Sequence, residues 1–195
     1  AVPDCDSYFY YPCINSDDLL SLPFWAAGAT IYQIWTDRFC DGDPSNNLPC
    51  TKDWGVLPDR QTYFGGDFAG IIQKLPYLKQ LGVDILYLNP VFASPSYHKY
   101  DICDYETVET CFGGEKELGR LFKAAHKLGL RVILDGVFNH CSVQHPFFRD
   151  LMEKGESSPY CNWFFPYSFP VRKETCNYDT FAGMVPDMPR FNTAN

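Results

Sequence analysis

The strongest constraint in this sequence is an internal echo. Phe64-Gly-Gly-Asp67 opens a stretch whose apolar residues recur at helical spacing (Ile71, Ile72, Leu75, Leu78) and which stops at Leu81-Gly82, before the apolar run Val83 to Leu88. Phe112-Gly-Gly-Glu115 opens a second (Leu118, Leu121, Phe122, Ala125) that stops at Leu128-Gly129, before the run Leu130 to Asp135. In each copy an acidic residue favours the helix N-terminus, and a Gly stands where a left-handed C-terminal cap needs one. A strand signal at Ala29 to Trp35, rich in β-branched and aromatic residues, precedes both. Three strands alternating with two helices, the strands nearly continuous in apolar residues, predict α/β architecture with parallel βα units buried on both faces. Two copies are too few for a solenoid of independent repeats. Pro76 predicts a kink in the first helix or a late start to it.

Around this pattern the chain divides into three parts. Residues 1–23, with Pro3, Pro12 and Pro23, read as an extended lead-in; residues 24–140 carry the βα units; residues 141–195 hold one short helix signal, Pro146 to Lys154 closed by Gly155, followed by aromatic and Pro-rich irregular sequence. Of the 195 residues 46% are apolar and 21% charged, which predicts an ordinary folded core. A net charge of −8 repels phosphate backbones and anionic lipid, so neither nucleic acid nor a membrane surface is an expected partner. No apolar run approaches the roughly 20 residues of a membrane span.

Nine cysteines allow two readings. Neighbours could pair locally (5 with 13, 40 with 50, 103 with 111, 161 with 176), leaving Cys141, or all could be reduced thiols. The first residues show no basic leader, which points to reduced thiols and a cytoplasmic location, with secretion as the alternative. No CxxC occurs, which argues against a structural zinc or thioredoxin-type site.

Function in parallel α/β proteins gathers at the C-terminal ends of strands. Three polar clusters stand there: Asp135-Gly-Val-Phe-Asn-His140 after the third strand, a loop with His98-Lys-Tyr-Asp101 after the second, and the acidic loop 41–47 after the first. Each has a plain reading, as strand-end hydrogen bonding and turn chemistry for Asp135, Asn139 and His140, as loop aromatics tucked on the core for His98 and Tyr100, and as a solvated turn for Asp41, Asp43, Asn46 and Asn47. The functional reading is that a Tyr ring covers the C–H face of a sugar while imidazoles and carboxylates bond its hydroxyls, and that the loop's oxygens suit Ca²⁺. The loop is not an EF-hand, and no phosphate cradle, GxSxG elbow or HExxH is present.

At Asp135-Gly-Val-Phe-Asn-His140 the sequence resembles the first signature region of the α-amylase superfamily of glycoside hydrolases (family 13). Ile31 to Phe39 resembles the first barrel strand of that family, and Leu78 to Pro90 the second strand with the helix before it. Ser96 to Asp101, Asp150 to Trp163 and Asn177 to Asn195 are most similar to the neopullulanase, cyclomaltodextrinase and maltogenic amylase branch. The resemblance implies the first three units of a (β/α)8 barrel, with residues 141–195 as the domain B excursion after strand three. It implies that His140 bonds a hydroxyl of the glucose at the cleavage subsite, that Tyr100 stacks beneath that ring with His98 beside it, and that Asp135 and Asn139 support the strand end. It also implies a Ca²⁺ site built from Asp41, Asp43, Asn46 and Asn47, closed by the carbonyl of Gly65 and by Asp67, with Asn47 standing where relatives often carry Asp.

The family's retaining mechanism uses two carboxyl groups close enough for a glycosyl-enzyme intermediate, with a supporting third. Its nucleophile lies in Gly-x-Arg-x-Asp, and none of Arg38, Arg60, Arg120, Arg131, Arg149, Arg172 and Arg190 has Asp two positions on. The expectation is therefore a segment of a retaining α-glucan hydrolase acting on α-1,4 and α-1,6 bonds of maltooligosaccharides, cyclodextrins or pullulan. This segment is expected to be inactive alone, and homodimerisation is implied by the branch. Two other readings stand beside it: a non-catalytic carbohydrate- or calcium-binding module, and a different α/β enzyme using Asp135 and His140 as acid and base.

Overall fold

The computed structural model describes residues 23–194. Most of the predicted lead-in, with Cys5 and Cys13, lies outside the described residues. Three strands, β1 (Ile31–Ile34), β2 (Ile85–Leu88) and β5 (Arg131–Leu134), form a parallel sheet in the order 1-2-5. Each is shorter than the apolar run that signals it. Only the central β2 is buried nearly throughout, whereas Ile31 and Arg131 at the starts of β1 and β5 are exposed, which corrects the expectation of three strands covered on both faces.

The helices between the strands follow the echo, and the two copies use the same letters differently. In α1 (Phe68–Gln80), Phe68, Ile71, Leu75 and Leu78 are buried on one stripe. In α2 (Gly114–Lys127), Leu118, Leu121 and Ala125 are. These residues share one core with Ile34, Leu86, Leu88 and Phe112, each such side chain contributing roughly 1.5–3 kcal/mol on burial. Both helices end at a left-handed glycine, Gly82 (φ 89°) and Gly129 (φ 69°), as the pattern requires. Pro76 lies within α1 and marks no late start, since the helix already begins at Phe68. At the N-termini the copies part. Asp67 is the N-cap of α1, its Oδ1 accepting from the Gly70 amide at 2.6 Å. Glu115 lies inside the first turn of α2, whose N-cap is Gly113 with φ 101° and no side-chain bond.

The glycines differ for a reason. A Cβ on Gly66 would run into the carbonyl oxygen of Thr36, so this glycine exists to let loop 62–66 lie against the end of β1. There Asp37, buried, accepts amides from Phe64 at 3.0 Å and Gly65 at 3.2 Å and pairs with Arg38, whose guanidinium also donates to the carbonyl of Thr62. Its counterpart Gly114 is instead a residue of positive φ (67°) with open space where a Cβ would stand; the preceding pair, Gly65 and Gly113, share a positive φ (76° and 101°), and Gly113 turns the chain from the short ribbon β3 (Phe92–Ala93) with β4 (Asp104–Val108) into α2.

Residues 141–194 correct the expectation of irregular chain. The predicted helix α3 (Pro146–Lys154) forms, capped by His145, and beyond it β6 (Thr180–Phe181) and β7 (Val185–Pro189) make an antiparallel hairpin. This part has its own core: Cys141, Val143, Phe148, Leu151, Phe164, Val171 and Tyr178. All seven described cysteines (Cys40, Cys50, Cys103, Cys111, Cys141, Cys161, Cys176) are free thiols, so the local pairs 40–50, 103–111 and 161–176 are not made. Among the described residues no helix is long and apolar enough to cross a membrane.

Asp67 does more than cap. It also accepts the amides of Gly42 at 3.0 Å and Asp43 at 2.9 Å and the Nδ2 of Asn46 at 3.0 Å, so one buried carboxylate ties helix and acidic loop together. Asp67→Ala is expected to destabilise the protein by about 2–4 kcal/mol, since a lost cap costs about 1 kcal/mol and the stranded loop donors add to it. A urea-unfolding curve measures this, and Asp67→Asn, which keeps an acceptor oxygen, is expected to lose less.

Candidate functional site

A cleft of about 460 Å³ opens beyond the C-terminal end of β5, lined by His98, Tyr100, Asp135, Val137, His140, Phe181 and Met188. Three parts of the chain supply it. Asp135 directly follows β5 and bonds its amide to the Leu88 carbonyl at 3.1 Å, which extends the parallel pairing by one residue into the site. His98 and Tyr100 sit in the loop between β3 and β4. Phe181 and Met188 come from the β6–β7 hairpin, which returns beside the site strand: Cys141 N donates to Pro189 O at 3.1 Å, Val143 N to Asp187 O at 3.0 Å, and Phe191 N to Asn139 O at 2.9 Å. The Tyr105 hydroxyl on β4 lies 2.7 Å from the Val137 carbonyl and 2.8 Å from that of His140, pinning the segment between them.

His140 is 4% exposed. Its Nδ1 faces the Asn139 Nδ2 at 3.3 Å; the amide can only donate, so the lone pair is on Nδ1 and the proton on Nε2. That Nε2 is buried and has no hydrogen-bond partner. A buried donor left unmatched costs roughly 1–3 kcal/mol, which a ligand acceptor would recover. The Phe181 ring lies 4.8 Å from the imidazole, tilted by 40°. On the other wall, His98 Nδ1 accepts the Tyr100 amide at 3.0 Å, again assigning the ring proton to Nε2. Burial lowers the pKa of both His98 and His140; Asp101 acts against it in His98, and the Tyr100 backbone, then Asp101, in His140, and burial prevails in each, so both are held neutral. Burial, then the Asp135 carboxylate, pushes the Tyr100 phenol up to about 12, and the same two causes raise Tyr87 beneath it on β2. The cleft thus offers neutral N–H donors, a carboxylate and aromatic faces, the surface that a neutral polyhydroxyl ring with one apolar side fits.

Sequence reading places His98, Tyr100, Asp135 and His140 here, and the structure brings them into one cleft; Asn139 orients His140 from behind. Phe181 and Met188 were not found from sequence, because only the returning hairpin carries them to the site. Asp101, which accepts from Ser94 Oγ at 2.7 Å and from Ser96 Oγ, was legible only as part of a motif.

The acidic loop forms a second, separate feature. Asp41 Oδ2 accepts from Asn47 Nδ2 at 2.7 Å, while Asp41 Oδ1, Asn46 Oδ1 and Asn47 Oδ1 are buried without any donor. Gly65, at φ 76°, abuts the Asn47 amide so closely that a Cβ would collide with it. Asp43 Oδ1 is occupied by the amide and hydroxyl of Ser45, and Asp67 by its N–H donors. Among the described residues no three His, Cys, Asp or Glu side chains gather as a metal cluster, so any cation here would rest on amide and carbonyl oxygens beside Asp41. Three unmatched buried oxygens fit a hard cation of the Ca²⁺ type.

Comparison with known proteins agrees over most of the chain. Residues 33–185 match the family model for the alpha amylase catalytic domain. Neopullulanase 2 of Thermoactinomyces vulgaris is 47% identical over 190 residues, which are 96% of this chain and 32% of that protein. A cyclomaltodextrinase of Thermoanaerobacter pseudethanolicus is 40% identical over 189 residues, 96% of this chain and 33% of its own. The chain therefore spans about a third of the length of the curated relatives it matches. Among solved structures, the cyclic alpha-maltosyl-(1→6)-maltose hydrolase of Arthrobacter globiformis in complex with cyclic alpha-maltosyl-(1→6)-maltose aligns with a TM-score of 0.85 at 36% identity, covering 90% of this chain and 40% of that one. The type III pullulan hydrolase of Thermococcus kodakarensis aligns with 0.80 at 38% identity, over 88% and 34%.

The neutral histidines set a pH dependence. His98, His140 and His145 all have pKa values lowered below 6.5 by burial, so below that pH the unfolded chain binds protons the folded one refuses. Their contribution is complete above 6.5 and is lost as pH falls from that value through the lowered pKa of the folded state. Thermal melting is expected to drop from pH 7 to pH 5, and each single His→Gln variant is expected to show a shallower drop.

Proposed function

Because this chain belongs to the α-amylase family of catalytic domains, we propose that the protein carrying it is a retaining α-glucan hydrolase that cleaves α-1,4 and α-1,6 glucosidic bonds in maltooligosaccharides, cyclodextrins or pullulan. One observation carries the reading: the cleft at the end of β5, in which the unmatched Nε2–H of His140 faces Tyr100 and His98. In this reading β1, β2 and β5 with α1 and α2 are the first three units of an eight-unit barrel, and residues 141–195 are the excursion after its third strand. A barrel of that kind needs about 250 residues, which agrees with relatives three times the length of this chain.

The division of labour follows from the side chains. The Tyr100 ring lies beneath the glucose at the cleaved bond, His140 donates Nε2–H to one of its hydroxyls, and His98 donates from beside it. Asp135 receives the phenol side of Tyr100 and Asn139 fixes the His140 tautomer. Phe181 and Met188 close the wall toward the next sugar. The nucleophile and the acid/base, two carboxyl groups about 5–5.5 Å apart in retaining enzymes, are supplied by residues outside this chain. We further propose that Asp41, Asn46 and Asn47, with the Gly65 carbonyl, hold Ca²⁺, while Asp43 and Asp67, expected from the resemblance as ligands, accept N–H and O–H donors and brace the loop instead. The unmatched oxygens of Asp41, Asn46 and Asn47 support it. When bound, the ion would brace the loop after β1; it takes no part in bond cleavage. Homodimerisation, common in this branch, belongs to the same reading.

Sugar release from maltotriose, β-cyclodextrin and pullulan by the full protein tests the activity. His140→Ala and Tyr100→Ala are each expected to lower kcat/KM about 100-fold, roughly 2.7 kcal/mol of transition-state stabilisation. No release, or release indifferent to both changes, overturns the reading, and saturable maltooligosaccharide binding without release would favour a binding module. Residues 1–195 alone are expected to show no turnover. For the metal, the melting temperature is expected to rise with Ca²⁺ concentration and to fall in EDTA, and Asp41→Ala is expected to abolish that dependence. A melting temperature indifferent to Ca²⁺ removes the site.

A further inference from the structure

Lys99 stands between the two cleft residues His98 and Tyr100 and points the opposite way. It is 2% exposed, and its backbone has φ 63°, a conformation that side chains other than glycine adopt rarely. Its Nζ donates to the Ser94 carbonyl at 3.1 Å and to Glu109 Oε2 at 2.7 Å, and lies 5.6 Å from the Tyr63 ring and 5.7 Å from the Phe112 ring. Glu109 is fixed in turn: its Oε1 accepts the Thr110 amide at 3.0 Å, and its own amide donates to the Val91 carbonyl at 2.9 Å. One ammonium thus joins both ends of loop 94–99, the end of β4, the loop before α1 and the core. A buried Lys is rare unless paired, and truncating one partner of such a pair strands the other.

We propose that Lys99 is a positioning residue for the sugar cleft: its ammonium, locked by Glu109 and Ser94, holds the left-handed turn that presents His98 and Tyr100 side by side. The inference rests on the α-glucan reading above and deepens it. The geometry is specific. With Lys99 inserted inward, the Tyr100 amide reaches back to His98 Nδ1 at 3.0 Å, and the two rings sit 6.1 Å apart. That amide fixes the His98 tautomer, and the Ser96 hydroxyl, also 3.0 Å from Nδ1, holds the ring from the same loop, so a loosened Lys99 would release the ring orientation and the donor together.

Kinetics of maltotriose hydrolysis by the full protein test this through a double-mutant cycle. Lys99→Met is expected to lower kcat/KM at least tenfold in the wild-type background and less than twofold in a His98→Ala/Tyr100→Ala background, because its effect passes through those two side chains. Lys99→Gly, which relieves the left-handed backbone but deletes the ammonium, is expected to lose as much as Lys99→Met. Glu109→Gln, which keeps an acceptor for Nζ and serves where the lysine variants fail to fold, is expected to lose less but with the same coupling. Equal losses in both backgrounds, or full activity in Lys99→Gly, overturn the proposal while leaving the hydrolase reading intact. A wild-type protein that leaves maltotriose untouched removes both.

Discussion

Parallel pairing in a single register is the constraint on which the rest of this structure depends. Ile34, Leu88 and Leu134 are aligned across β1, β2 and β5, so the strands finish level and their three following loops leave the sheet side by side. Nothing in the chemistry of His98, Asp135 or His140 brings them together; the level strand ends do. A slip of one residue would turn Leu86 and Leu88 away from α1 and α2 and move Asp135 off the cleft at the same time, so core and site are specified by one choice.

Carboxylates then hold what the register delivers. Asp37 gathers the amides of Phe64 and Gly65, Asp67 gathers those of Gly42, Asp43 and Gly70, Asp101 takes the hydroxyls of Ser94 and Ser96, and Glu109 takes Lys99. Each of these loops is ordered by an acid whose several lone pairs match N–H or O–H donors that have left regular structure. The loops beside the cleft are in this way tied back to buried groups, a rigidity that positioning a substrate requires.

The βα framework and most of the cleft are legible in the sequence because they rest on local signals. Apolar runs mark strands, helical spacing marks α1 and α2, and the Leu-Gly stops mark left-handed caps. What escapes is what depends on distant partners. Phe92–Ala93 is too short to register as a strand, and Val185–Pro189 contains two prolines that argue against one, yet it forms because the amides of Cys141 and Val143 donate to its carbonyls. Phe181 and Met188 reach the cleft only through that pairing. The echo itself is a partial guide: Gly65 and Gly113 share a positive φ, but Gly66 is needed for close approach and its counterpart Gly114 for positive φ, so identical letters in the two copies answer different steric demands. The acidic loop is legible in composition alone, and its unmatched oxygens become visible only when burial is known.

The strand order 1-2-5 follows the order of the chain, and both joining segments carry their own helix. Each strand is therefore added to an edge already present when it emerges, so the sheet can grow from the N-terminal side during synthesis without waiting for residues not yet made. The same growth leaves β5 as the newest edge at each moment, and the hairpin that returns along residues 139–143 shields the chain just past that edge. The hairpin after β5 thus covers the site strand's exit as well as lining the cleft.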